Sequence, residues 1–135
     1  MGSTPKYQIE IEVTPEHIDD LDHVNNVVYL QWIQDVAKAH WSKLAPADAL
    51  EQYIWVVRRH EIDYLGPALL GDDLTATTWV EVFEGVKSIR WVEISRNSKV
   101  LVRSKTTWVM LHSKTGKPAR VSKEMAKRFL EVSKN

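Results

Sequence analysis

The segment His17-Ile18-Asp19-Asp20-Leu21-Asp22-His23-Val24-Asn25-Asn26 concentrates side chains that can do chemistry. It is polar, irregular and acid-rich, and it runs directly into a stretch with helical periodicity. A helix start offers backbone N–H groups that lack intrahelical partners, together with the positive end of the helix dipole. Such donors stabilise an oxygen that develops negative charge. A carboxylate beside them is able to activate water or to attack a carbonyl carbon. Together these are the parts of acyl-transfer hydrolysis. A plainer reading of the same residues is that Asp19, Asp20 and Asp22 cap and solvate a helix. A metal site made of His17, Asp19 and His23 would lack the helical His-x-x-x-His spacing or a matched second pair, so no metal and no other cofactor is expected.

The elements that must position this segment follow from hydrophobic periodicity. Tyr7 to Val13 alternates apolar and polar residues, as a half-buried strand does, and Thr14-Pro15 ends it. Val27 to Leu44 reads as a helix of about five turns. Gln31, Gln34, Asp35, Lys38 and Ser42 share one face, and Tyr29, Ile33, Val36, Ala37, His40 and Leu44 lie opposite. Asn25 or Asn26 stands at the N-cap, and Pro46 follows the end. His40 reads as a core histidine, and Trp32 lies toward the flank. Strands are expected at Tyr53–Leu65, Leu74–Glu84, Val86–Arg96 and Lys99–His112, the last two joined by a tight turn at Asn97-Ser98. Ser122 to Val132 predicts a short helix with Ser122 as its N-cap. The result is an α+β pattern, one antiparallel sheet laid around a buried helix. Strands this long, against a mean of about five or six residues, predict strong curvature.

With 135 residues and 15.6 kDa, the chain is expected to form one domain over residues 1–135. Eighteen basic residues balance eighteen acidic ones, so a nucleic-acid partner drawn by whole-domain positive charge is not expected. The absence of cysteine excludes disulfides and thiolate catalysis. No apolar run approaches the ~20 residues that span a bilayer, so no membrane partner is expected. Met1 to Lys6 carries no apolar segment of the secretory type, and a cytoplasmic location is expected. Six tryptophans suit a packed core, an interface or an apolar ligand pocket.

His17-Ile18-Asp19, then His23-Val24-Asn25-Asn26 and Tyr29-Leu30, resembles the Asp-x-x-x-His-Val-Asn-Asn-x-x-Tyr signature of hotdog-fold acyl-CoA thioesterases. The branch is the 4-hydroxybenzoyl-CoA thioesterase-like superfamily, and within it the long-chain acyl-CoA thioesterases of bacteria. Val57 to Pro67 and Gly71-Asp72 match the same pattern, and the resemblance runs from about Ile9 to Arg120. It implies a curved antiparallel sheet wrapped around one long central helix, and hydrolysis of an acyl-CoA to free acid and CoA. It places Asp19 at the catalytic carboxylate position, as base or nucleophile. Asn26, or a neighbour, would supply the backbone N–H that polarises the thioester carbonyl. His23, Asn25, Tyr29 and Trp32 would surround the substrate. Some relatives carry His at the Asn26 position, and this chain lacks that helper. Asp22 stands where glycine is frequent and adds negative charge to the loop.

The resemblance also implies a homodimer whose sheets join edge to edge with active sites at the interface, and often a homotetramer. The CoA phosphates call for basic residues at the mouth, with Lys87 and Arg90, or Arg58 and Arg59, as candidates. Two further readings stand beside this one. The substrate could be carried by acyl carrier protein or bear an aromatic acyl group, or the protein could bind acyl-CoA without turnover.

Overall fold

A computed structural model of the chain describes residues 5–131. The expected helix end at Val132 and the segment Met1–Thr4 lie outside the described residues. The first strand, β1 (Tyr7–Glu12), alternates half-buried and exposed positions as its sequence does. Pro15–His17 then forms a single 3-10 turn, in which the Thr14 backbone N–H donates to His17 Nδ1 at 3.0 Å.

The long helix α1 (Asn26–Leu44) starts within one residue of the expected position. Asn25 is its N-cap, and its Oδ1 accepts the Val27 N–H at 3.1 Å. Tyr29, Trp32, Ile33, Val36, Ala37 and His40 are buried, while Gln31, Asp35, Lys38 and Ser42 face solvent. The helix stops at Ala45, ahead of Pro46. A short helix, α2 (Ala47–Gln52), follows. The sequence reading missed it because six residues show too little periodicity to separate a helix from a loop.

The remaining strands are β2 (Tyr53–Tyr64), β3 (Asp73–Glu84), β4 (Lys87–Arg96) and β5 (Lys99–His112). The helix α3 (Lys123–Leu130) closes the described chain, with Ser122 Oγ accepting the Met125 N–H at 3.1 Å. All pairings are antiparallel, in the order β1-β3-β4-β5-β2. Asn97 and Ser98, with φ of 50° and 71°, make the tight β4–β5 turn. The β2–β3 connection is different: these strands lie at opposite sides of the sheet, so residues 65–72 form a crossing loop and not a hairpin. That crossing carries residues 68 and 69 past the start of α1.

Register shifts at Val57/Arg59, Val80/Val82 and Ile94/Ser95 interrupt three of the pairings. Such irregularities bend strands, which lets the sheet curl around α1. The main core joins Ile33 and Val36 of α1 to Leu74, Ala76, Val92 and Ile94 on the inner face. A second cluster brings α2, β5 and α3 together around Met110 and Met125.

Candidate active site

Asp19 is half-buried and organises the loop that contains it. Its Oδ1 accepts the Leu21 N–H at 2.8 Å and the His23 N–H at 3.2 Å. Its backbone N–H donates to the His23 carbonyl at 2.8 Å, and its own carbonyl accepts the Asp22 N–H at 3.2 Å. Ile18 and Val24 pair as an isolated bridge just outside this ring of bonds. Asp22 has φ of 63°, in the left-handed region that glycine tolerates best and aspartate better than most residues. One oxygen of Asp19 thus builds the loop, while Oδ2 has no hydrogen-bond partner among the described residues. Asp19 therefore braces its own loop and does not cap α1, whose N-cap is Asn25.

The loop ends at the start of α1. The Asn25 N–H donates to the His17 carbonyl at 2.9 Å, and the Val28 N–H donates to the Asn25 carbonyl at 2.9 Å. The Val27 N–H is taken by the Asn25 side chain. The Asn26 N–H is left without a partner among the described residues, at the positive end of a helix of 19 residues.

The crossing loop holds this assembly from the other side. The Val24 N–H donates to the Ala68 carbonyl at 3.0 Å, and His23 bridges Leu69. Tyr29 Oη accepts the Ala68 N–H at 3.0 Å. Burial pushes the Tyr29 phenol pKa up, so it stays neutral. Asp72 Oδ2 accepts from the Leu69 N–H at 2.8 Å and pairs with Arg96. Burial opposes the Asp72 charge, but the Leu69 N–H and the Arg96 guanidinium win, and its pKa lies below the usual value. Sequence reading quoted Gly71-Asp72 as part of a motif but did not find Arg96, which is 24 residues away along the chain. Apolar side chains border the loop: Leu21 is 74 % exposed and Val27 is 69 % exposed.

Asp19, His23, Asn25 and Asn26 therefore come together. Tyr29 and Trp32 stand behind them in the core. Trp32 is buried, not at the flank, with edge contacts to His17 at 5.0 Å and to Tyr29 at 5.6 Å. Lys87 and Arg90 do not join the group within one chain. Arg90 is buried beneath α1 and bonds His40 Nδ1 at 2.9 Å. His40 lies fourteen residues beyond Asn26, about 21 Å along the helix axis. Within one chain Arg90 is therefore remote from the Asp19 loop and does not stand at its mouth. Arg90 instead lines a partly open cavity between the C-terminal half of α1 and the sheet.

A model of the acyl-ACP thioesterase N-terminal domain matches residues 4–129. The chain is similar to the long-chain acyl-CoA thioesterase FadM of Escherichia coli (strain K12), with 27% identity over 134 residues, 94% of this chain and 99% of that protein. Among solved structures it is similar to a predicted thioesterase from Bacillus stearothermophilus, with a TM-score of 0.83 and 19% identity, covering 96% of this chain and 100% of that one. It is also similar to a Thermus thermophilus thioesterase complexed with coenzyme A and zinc, with a TM-score of 0.78 and 23% identity over 90% of each chain. These two structural likenesses establish the fold, the curved sheet around a long helix that the motif implied.

Proposed function

The chain belongs to the acyl-ACP thioesterase N-terminal domain family and is a thioester hydrolase, and from that premise we propose that it cleaves an acyl-CoA to a free acid and CoA through Asp19 and the Asn26 N–H. The observation that carries this reading is the divided role of Asp19. Two backbone N–H groups fix Oδ1, so Oδ2 is held in place without being consumed by the loop. The substrate carbonyl oxygen takes the Asn26 N–H, which no group of the described residues occupies. Charge that develops on that oxygen meets a fixed donor and the helix dipole. Asp19 Oδ2 either removes a proton from water or bonds to the carbonyl carbon, and the thiolate of CoA departs. Asn25 shapes the site by capping α1 and leaving the next N–H free. His23 ties the loop to residue 69. Long-chain acyl-CoA is the substrate class named for the FadM relative, and the apolar rim of Leu21 and Val27 suits it.

The test is thiol release from a panel of acyl-CoAs by the wild type and by Asp19→Asn. The amide keeps an oxygen for the Leu21 and His23 N–H groups, so the loop persists while the basic oxygen is lost. We expect kcat to fall by roughly two to four orders of magnitude, the range of a positioned general base. An Asp19→Asn protein that keeps more than a tenth of wild-type kcat would sink the assignment. Single-turnover hydrolysis in oxygen-18 water identifies a nucleophilic Asp19 by label in its carboxylate, left there when water opens the mixed anhydride at the Asp19 carbon and never acquired by a general base.

A second carrier is favoured by the family itself, whose model is that of acyl-ACP thioesterases. The ratio of kcat/KM for matched acyl-CoA and acyl-carrier-protein substrates decides between them. We further propose a cytoplasmic homodimer joined through β2. That strand forms one edge of the sheet, twelve residues long, with Ile54 and Val56 exposed.

A further inference from the structure

The cavity under the C-terminal half of α1 measures about 370 Å³, within the size range of small-molecule pockets. Trp41, Trp55, Phe83 and Trp108 supply much of its wall. Arg90 opens onto it although only 6 % of the residue is exposed. Arg90 Nη1 bonds His40 Nδ1 at 2.9 Å and Thr78 Oγ1 at 3.1 Å. Both partners are neutral: burial, then the Arg90 charge, pushes the His40 pKa down to about 4. Nε and Nη2 of Arg90 have no partner, and no carboxylate pairs with it, among the described residues. A charged group taken out of water without a counter-charge is costly. The Arg90 deficit lies at the wall of this partly open apolar cavity.

We propose that this cavity binds an apolar carboxylate, with the acid group on the free N–H groups of Arg90 and the hydrocarbon or aryl body against the tryptophans. A carboxylate is the group that a guanidinium takes through two parallel hydrogen bonds. The largely aromatic wall suits a ligand that is apolar apart from that end. Such a group can come from a free acid or from the far end of a thioester's acyl chain. Within one chain the cavity is remote from Asp19, whose helix end lies about 17 Å from Ala37 along α1.

The first measurement is tryptophan fluorescence on the intact protein, titrated with octanoate and 4-phenylbutyrate and with the matching alcohols. The acids should bind at least about tenfold more tightly than the alcohols. Arg90→Gln should abolish that difference, and Arg90→Lys, which keeps the charge but loses the paired donors, should weaken acid binding several-fold. Asp19→Asn should bind the acids as the wild type does. Should Arg90→Gln fail to fold, the wild-type ratio and Arg90→Lys still decide. Equal binding of acid and alcohol by the wild type, or a preference that survives in Arg90→Gln, overturns the proposal.

The second measurement rests on the thioesterase reading and compares suberoyl-CoA with octanoyl-CoA. A preference in kcat/KM for the acid-ended substrate, lost in Arg90→Gln, assigns the site to the acyl chain. Octanoate binding without that preference assigns it to a free acid. Absence of turnover with both substrates leaves the binding result standing and speaks against the thioesterase reading alone.

Discussion

His40 shows how one residue couples the core to solution conditions. It is enclosed, stacked on Tyr7 at 5.2 Å and edge-on to Phe129 at 4.9 Å, and it accepts from Arg90. Its folded pKa of about 4 lies below the ordinary histidine value. Between pH 6.5 and 4 the unfolded chain therefore takes up a proton that the folded chain refuses. Stability is complete above pH 6.5, declines as pH falls through that window, and loses about 3 kcal/mol by its lower end. His60, lowered by burial, acts in the same direction. Asp72 extends the loss further into acid, because its folded pKa is depressed. Urea midpoints measured from pH 7.5 to 4.5 should fall steadily for the wild type and less steeply for His40→Gln. A flat wild-type profile would contradict a neutral, buried His40. The sequence placed His40 on the apolar face, since that follows from position modulo a helical turn. Its partner Arg90 was not legible, because fifty residues separate the two and only the fold brings them together.

At the scale of elements, the site is a junction of the Asp19 loop, the first turn of α1 and the crossing loop 65–72. The Asp19 loop and the helix start were legible, because their residues are contiguous and their chemistry is local. The crossing loop was not, because nothing in residues 65–72 tells that the strands they join lie at opposite sides of the sheet. Tyr29 links helix and crossing loop through the Ala68 N–H. Tyr29→Phe keeps the ring but removes the acceptor and strands a buried N–H, which should cost about 1–3 kcal/mol. Denaturant titration measures this directly. Ala68 also accepts from Val24, and residue 69 bridges His23, so looser packing there should reach the Asp19 loop. Thioester turnover is then expected to fall along with stability, more in kcat than in KM. Unchanged stability in Tyr29→Phe would mean that water replaces the phenol at Ala68, and that the crossing loop is held by Asp72 and Arg96 instead.

At the scale of the molecule, the two features with chemical potential sit at opposite ends of α1, Asp19 near its start and the cavity beyond Ala37. The placement of β2 offers a way to unite them. Its Tyr64 end packs on Tyr29 beside the Asp19 loop, at 5.8 Å between ring centroids, and its Tyr53–Trp55 end lines the cavity. Two identical edge strands related by a two-fold axis across the sheet run antiparallel. In the proposed dimer, the Tyr64 end of one β2 therefore lies beside the Tyr53 end of the other, and each Asp19 faces its partner's cavity. Light scattering should give twice the 15.6 kDa chain mass at micromolar concentration. Function tests the geometry more sharply. Asp19→Asn removes the carboxylate, and Ser42→Trp, at an exposed position on the cavity wall, fills the cavity. Each homodimer should be inactive on a long acyl-CoA. After unfolding and co-refolding in equal amounts, half the dimers are mixed, and each mixed dimer holds one intact carboxylate facing one open cavity. About a quarter of wild-type activity should return. No recovery from a mixture shown to contain heterodimers would mean that each Asp19 works with the cavity of its own chain, or with neither.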